Sequence, residues 1–151
     1  MVDGLKQLQG APLRAFVLAL DCGLRWNEIA SLTWDNVLPK GVRVLASLAK
    51  GRRQRVIPMA KVVQRVLVAS RGQGLVIGGD TTDLHQNLCA WLRKHGVKDA
   101  KPIHFLRKCY GSLAVADHVI FVASKSLGHS SITLTASTYA GQVDKLPAVK
   151  F

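Results

Sequence analysis

Residues 42–48 and 54–59 are two short runs that read as strands, separated by Lys50-Gly51-Arg52-Arg53. A glycine set among polar residues between two β-forming runs marks a hairpin, and the tip of this one is almost entirely cationic. On both sides of it the apolar residues recur at helical rather than alternating spacing. A hairpin embedded in helical sequence leaves few architectures open. The expected fold is α+β, mainly α-helical, with a small antiparallel β-sheet.

In chain order, Leu13, Phe16, Val17 and Leu20 share one face of a helix over 12–20, with Pro12 in its first turn. Cys22-Gly23 breaks that helix, and Arg25 follows on the turn. Asn27 is placed to cap a second short helix carrying Glu28, Ile29 and Leu32. Helical periodicity returns over 62–70. The apolar piece 75–77 lies between two glycine-bearing stretches and reads as a loop with a few extended residues. It lacks the strand–glycine–helix context of a phosphate cradle. Thr82-Asp83 reads as the cap of a helix over 84–95, stopped by Gly96. A helix over 104–116 follows Pro102, another over 121–127 ends at Gly128, and a last short helix or turn covers 133–140. No repeat or linker interrupts the chain, so residues 1–151 are expected to form a single domain.

The charge narrows the function. Against 9 acidic residues stand 21 lysines and arginines, a net charge of +12. A charge that large on one domain calls for a polyanionic partner, either nucleic acid or an anionic membrane surface. With 48% hydrophobic residues and three tryptophans, the chain is richer in apolar residues than a histone-like or ribosomal protein would usually be. The longest apolar run, 15–20, is too short to cross a bilayer. Residues 1–10 have no apolar core of the signal-peptide kind. Cys22, Cys89 and Cys109 are odd in number and unpaired in spacing, which suits a reduced cytosolic protein with thiols acting as small apolar groups. His85, His95 and His118 have no partner motif, and Trp26, Trp34 and Trp91 read as core anchors.

Chemistry concentrates in 126–139, where His129 and Tyr139 bracket a stretch rich in serine and threonine. A tyrosine phenol, with a pKa near ~10, is a poor nucleophile at neutral pH. It becomes a useful one where cations stabilise the developing phenolate and the group under attack. The chain offers Arg25 after a Gly-Leu turn, Lys50 at the hairpin, and His104 and Arg107 one helical turn apart. Two arginine forks can grip both non-bridging oxygens of a phosphodiester. Charge accumulates on those oxygens as a nucleophile adds, so fixed arginines favour the transition state over the ground state. Guanidinium groups can take the place of a divalent cation. The sequence shows no close His/Cys ligand spacing and no carboxylate cluster, so neither metal nor cofactor is expected.

These motifs carry a resemblance. Gly23-Leu24-Arg25-Trp26-Asn27-Glu28-Ile29 with Leu32-Thr33-Trp34 resembles the first arginine box of the tyrosine recombinases, the family of phage integrases and Xer-type resolvases. Residues 50–58, ending in Val56-Ile57-Pro58, have the layout of that family's lysine hairpin. His104-Phe105-Leu106-Arg107 is similar to its His-x-x-Arg box, and Leu127-Gly128-His129-Ser130-Ser131 to its second histidine box. Tyr139-Ala140 falls near the nucleophile position. Four boxes in the right order cover 16–140, most of the chain.

The resemblance implies a site-specific recombinase catalytic domain that cuts and rejoins DNA through a 3′-phosphotyrosine link. Arg25 and Arg107 would clamp the scissile phosphate with His129 adding a hydrogen bond. Lys50 would protonate the 5′-oxygen, His104 would assist proton transfer near the tyrosine, and Glu28 would orient the arginine from behind. Arg52, Arg53, Arg55 and Lys108 are expected to contact DNA. The implied partner is double-stranded DNA, bound by a homotetramer on paired sites or by a monomer as an isolated domain, with no membrane. The implied location is the cytoplasm, beside the nucleoid. A type IB topoisomerase and a catalytically impaired DNA-binding domain are the alternative functions. Three departures from the family pattern stand out. The interval from His129 to Tyr139 is one residue longer than usual. Lys108 replaces a frequent histidine. The N-terminal DNA-clamping domain is expected to be absent.

Overall fold

The computed structural model describes residues 7–49 and 53–116. Lys50, Arg52, His118, His129 and Tyr139, and the helices expected after residue 116, lie outside that range.

Helix α1, Gly10–Asp21, is the centre of the molecule. Its Ala15, Phe16, Leu18 and Ala19 are buried, at the i, i+3, i+4 spacing that lines one face. Fully burying a side chain such as Leu18 stabilises the fold by about 1.5–3 kcal/mol. Gly23 ends α1 in the left-handed region, at φ +59, where a side-chain-free residue is favoured. The Leu24 N–H then returns to the Leu18 carbonyl at 3.2 Å.

Helix α2, Trp26–Ala30, follows at once. Its cap is Arg25 rather than the expected Asn27, which sits one residue inside the helix and is exposed. The reason is Glu28, whose carboxylate accepts the Arg25 N–H at 2.9 Å and satisfies a donor the helix cannot. A single 3₁₀ turn, Trp34–Asn36, leads into strand β1, Val37–Leu38.

Among the described residues the sheet has three antiparallel strands in the order β1, β2, β3, with β2 at Gly41–Val44 and β3 at Arg55–Pro58. The register sets Val42 opposite Ile57 and Val44 opposite Arg55. Strand β2 is shorter than the run 42–48 suggested. The Leu45 carbonyl instead accepts from both Leu48 and Ala49 N–H at 3.1 Å, turning the chain before the hairpin tip.

Helix α3, Lys61–Ala69, is amphipathic, burying Val63 and Leu67. The apolar piece after it is partly extended: Leu75 bridges Thr33, and the Val76 N–H reaches the Leu32 carbonyl at 2.8 Å. Helix α4, Thr81–Lys94, is capped by Asp80 and not by Thr82-Asp83. Asp80 Oδ1 accepts from the N–H groups of those two residues, at 2.7 and 3.2 Å, so they supply the donors. Gly96 stops this helix at φ +94. Helix α5, Pro102–Ala116, starts two residues before the expected position, because proline is well suited to a first helical turn.

Helix α1 packs against α2, α3, α4 and α5, and α5 packs also against α4. Trp34 is buried, while Trp26 and Trp91 are partly buried against the same core. Cys22, Cys89 and Cys109 are free and buried. Burial first, and then the neighbouring Asp21 charge, push the Cys22 thiol far above the usual range. Among the described residues no helix is long and apolar enough to cross a membrane.

Candidate nucleic-acid and phosphate site

The Gly23 turn and the N-terminal half of α5 build the site between them. Arg107, one helical turn beyond His104, is 2% exposed and donates from Nη1 to the Gly23 carbonyl. Tyr110, a further turn on, packs its ring against the Gly23 backbone, so close that an added Cβ would lie 2.4 Å from Cδ1. The turn that places Arg25 is thus gripped from α5 by two side chains. Chain segments 84 residues apart are locked together by that Arg107 hydrogen bond.

Arg25 opens α2 with its side chain 28% exposed. Behind it, Glu28 is 1% exposed. Its carboxylate meets Nη2 of Arg55 at 3.0 Å from each oxygen, and Nη1 of Arg25 at the longer distance of 3.5 Å. Stripping the partners from such a buried carboxylate costs about 3–5 kcal/mol. The acidic residue expected to support Arg25 is therefore held against it by the fold.

Arg55 corrects an expectation of position. It is expected among the cations that contact DNA, yet its side chain is only 9% exposed and is directed inward to Glu28. The alternation of β3 explains this: Arg55 and Ile57 point inward, while Val56 and Pro58 are exposed. Arg53 is exposed, as expected for the tip. Lys108 is occupied locally, with Nζ 2.9 Å from Asp99 Oδ2. The Lys101 backbone N–H, and then Lys108, hold the Asp99 carboxyl below its usual pKa.

His104 keeps its surface exposed to solvent at the start of α5. Partial desolvation, followed by the positive charges of Arg107, Lys108 and Arg25, lowers its pKa from the usual 6.5, while Asp99 opposes them. The structure therefore gathers Arg25, Glu28, His104 and Arg107, from positions 76 or more residues apart between the two boxes, into one electrostatic neighbourhood (104 − 28 = 76).

A cleft of about 750 Å³ opens here, lined among others by Arg25, Glu28, His104, Lys101, Arg93 and His85. His85 had no motif to mark it. In the structure it packs edge-on to Trp26 with ring centroids 4.8 Å apart, on the cleft wall. Arg93 and Lys101 also went unnoticed in the sequence. The helical spacing of 85, 89 and 93 puts one face of α4 on the cleft, a signal that was there to be read. His95, by contrast, is a helix-end residue: it stacks on Trp91 at 4.1 Å, and Nδ1 lies 2.8 Å from the Trp91 carbonyl. A cationic cleft with a low-pKa imidazole on its rim can bind a phosphodiester and exchange a proton beside it.

The family described as the phage integrase family matches residues 5–145. A putative integrase/recombinase of Haemophilus influenzae is 26% identical over 143 residues, which is 91% of this chain but 38% of that protein's length. Among solved structures, the catalytic domain of bacteriophage HP1 integrase superposes with a TM-score of 0.65 at 18% identity, covering 91% of this chain and 82% of the other. XerA recombinase gives 0.70 at 17% identity over 97% of this chain and 64% of its own. A lambda integrase dimer bound to a COC′ core site gives 0.74 at 15% identity, over 99% of this chain and 47% of its own. The structural likenesses establish the α+β fold, and the family match covers nearly all of the sequence. The chain belongs to the phage integrase family.

Proposed function

We propose that this chain is the catalytic domain of a site-specific DNA recombinase that breaks and rejoins strands through Tyr139. The observation that carries the reading is the convergence of Arg25, His104 and Arg107, from two separate boxes, on one cationic neighbourhood in a chain of this family. In the proposed reaction Tyr139 Oη attacks phosphorus, the P–O5′ bond breaks, and a 3′-phosphotyrosine ester forms. The phosphodiester energy is kept in that ester, so the reverse attack by a 5′-hydroxyl rejoins a strand without ATP. Arg25 and Arg107, with His129, bear the charge that grows on the non-bridging oxygens. Lys50 gives its proton to the leaving 5′-oxygen.

His104 is suited to take the phenol proton, because a lowered pKa leaves the imidazole neutral at pH 7. Exposed Arg53 at the hairpin, Arg52 beside it and Lys108 on α5 would add phosphate contacts, whose cost in salt follows from counterion release. Double-stranded DNA is the partner, as in the solved lambda integrase dimer bound to a core site. Copies of the chain would pair on DNA and, on two sites, form a tetramer. The DNA substrate would place the protein in the cytoplasm with the nucleoid.

The test is covalent capture. The protein is incubated with a library of nicked duplexes of random sequence, adducts resistant to detergent are isolated, and the linked peptide and DNA are sequenced. The expected result is an adduct on Tyr139 that disappears in Tyr139→Phe while DNA binding persists. DNA binding with no adduct from the wild-type chain would leave a binding domain only. Relaxation of plasmids without any paired site would point to topoisomerase activity.

A further inference from the structure

We infer that Arg55 is a positioning residue for Arg25, acting through Glu28: its charge satisfies the buried carboxylate and leaves the Arg25 guanidinium free to engage a phosphate. The inference rests on the proposed role of Arg25 at the scissile phosphate.

The geometry is asymmetric. Nη2 of Arg55 sits 3.0 Å from both oxygens of Glu28, with the side chain 9% exposed. Arg25 touches the same carboxylate at 3.5 Å only, with 28% of its side chain open, and it lines the cleft. Two cations thus face one anion, and the surplus positive charge resides on the partner turned toward solvent. Without the Arg55 charge the local balance falls to zero. The carboxylate, 1% exposed and short of partners, would then draw the Arg25 guanidinium inward, away from any substrate oxygen. Arg55 is also on the strand that leaves the cationic hairpin, so its bond to Glu28 ties the base of that hairpin to the turn bearing Arg25. A guanidinium so enclosed and so engaged is poorly placed to be a direct DNA contact.

The experiment is a charge-balance cycle on a duplex that captures the wild-type chain, using Arg55→Met, Glu28→Gln and the double variant. Single-turnover adduct formation at saturating DNA and the binding constant are measured separately. Arg55→Met is expected to slow adduct formation about tenfold or more, with affinity changed by less than about threefold. Adding Glu28→Gln is expected to return most of the lost rate, because a neutral amide no longer competes for Arg25. A double variant slower than Arg55→Met, or a loss carried by affinity instead of rate, would overturn the inference. Should thermal melting show that Arg55→Met does not fold, Arg55→Lys takes its place in the comparison. That variant keeps the charge and should stay within about threefold of the wild-type rate, and a larger loss would count against the charge argument. A second readout needs no activity. The Arg25 Nε–Hε resonance of the DNA-free protein should shift in Arg55→Met and return in the double variant. If the wild-type chain forms no adduct, the functional reading falls, and this resonance alone decides whether Arg55 governs Arg25.

Discussion

Replacing Gly23 by alanine tests whether the turn under Arg25 is held by close packing. The residue has φ +59, which costs a side-chain-bearing residue about 1–2 kcal/mol. The new methyl would also lie 2.4 Å from Tyr110 Cδ1 and 3.0 Å from Cε1 and Cγ. Overpacking of that kind costs a further ~1–3 kcal/mol. Together they predict a destabilisation of about 2–5 kcal/mol, or a fall in Tm of roughly 5–15 °C for a domain of this size. The two contributions separate in a double-mutant cycle. In a Tyr110→Ala background the ring is gone, and Gly23→Ala should then cost only the backbone part, about 1–2 kcal/mol. Thermal or urea unfolding followed by circular dichroism measures all four proteins. Equal costs of Gly23→Ala in both backgrounds would refute the packing argument, and a cost near zero in both would refute the argument from φ as well.

Asp80→Ala removes the carboxylate that accepts the first N–H groups of α4, and should cost about 1 kcal/mol, lowering Tm by roughly 2–4 °C. His104 should titrate in NMR below the 6.5 of an unperturbed histidine, and Lys108→Met should move it upward; a value above 6.5 in the wild-type protein would contradict the cationic surroundings. Because the unfolded chain binds that proton more readily, His104 lowers stability as pH falls from about 6.5 toward its folded pKa, and unfolding midpoints measured across that window should fall accordingly. Arg25→Ala should reduce the rate of adduct formation far more than DNA affinity, since in the proposed reaction its charge acts chiefly on the transition state; equal losses in both would reduce Arg25 to a phosphate contact.

The periodic segments were legible because each is a local pattern. Phe16 could be assigned to a buried helix face, and Gly23 and Gly96 to helix ends, from sequence alone; Leu13, Val17 and Leu20, expected on that same face, are only partly buried, and Leu18, which was not assigned to it, is buried. So could the hairpin and the order of the boxes around Arg25, His104 and Arg107. Strand β1 was missed because two residues are too few to display an alternation. Both cap assignments slipped for a shared reason. A cap is defined by which side chain reaches which N–H, and Glu28 and Asp80 reach from positions that spacing alone does not single out.

The sequence by itself determined the fold class, the large excess of positive charge and the cationic residue types, since these follow from periodicity, charge and chemistry that neighbours carry together. Only the tertiary structure decided that Arg107 is anchored to Gly23, that His85, Arg93 and Lys101 share the cleft with Arg25, and that Arg55 faces Glu28. Those relations join residues tens of positions apart. They are fixed by how helices and strands pack, where a single alternation of β3 turns one arginine from solvent to the interior.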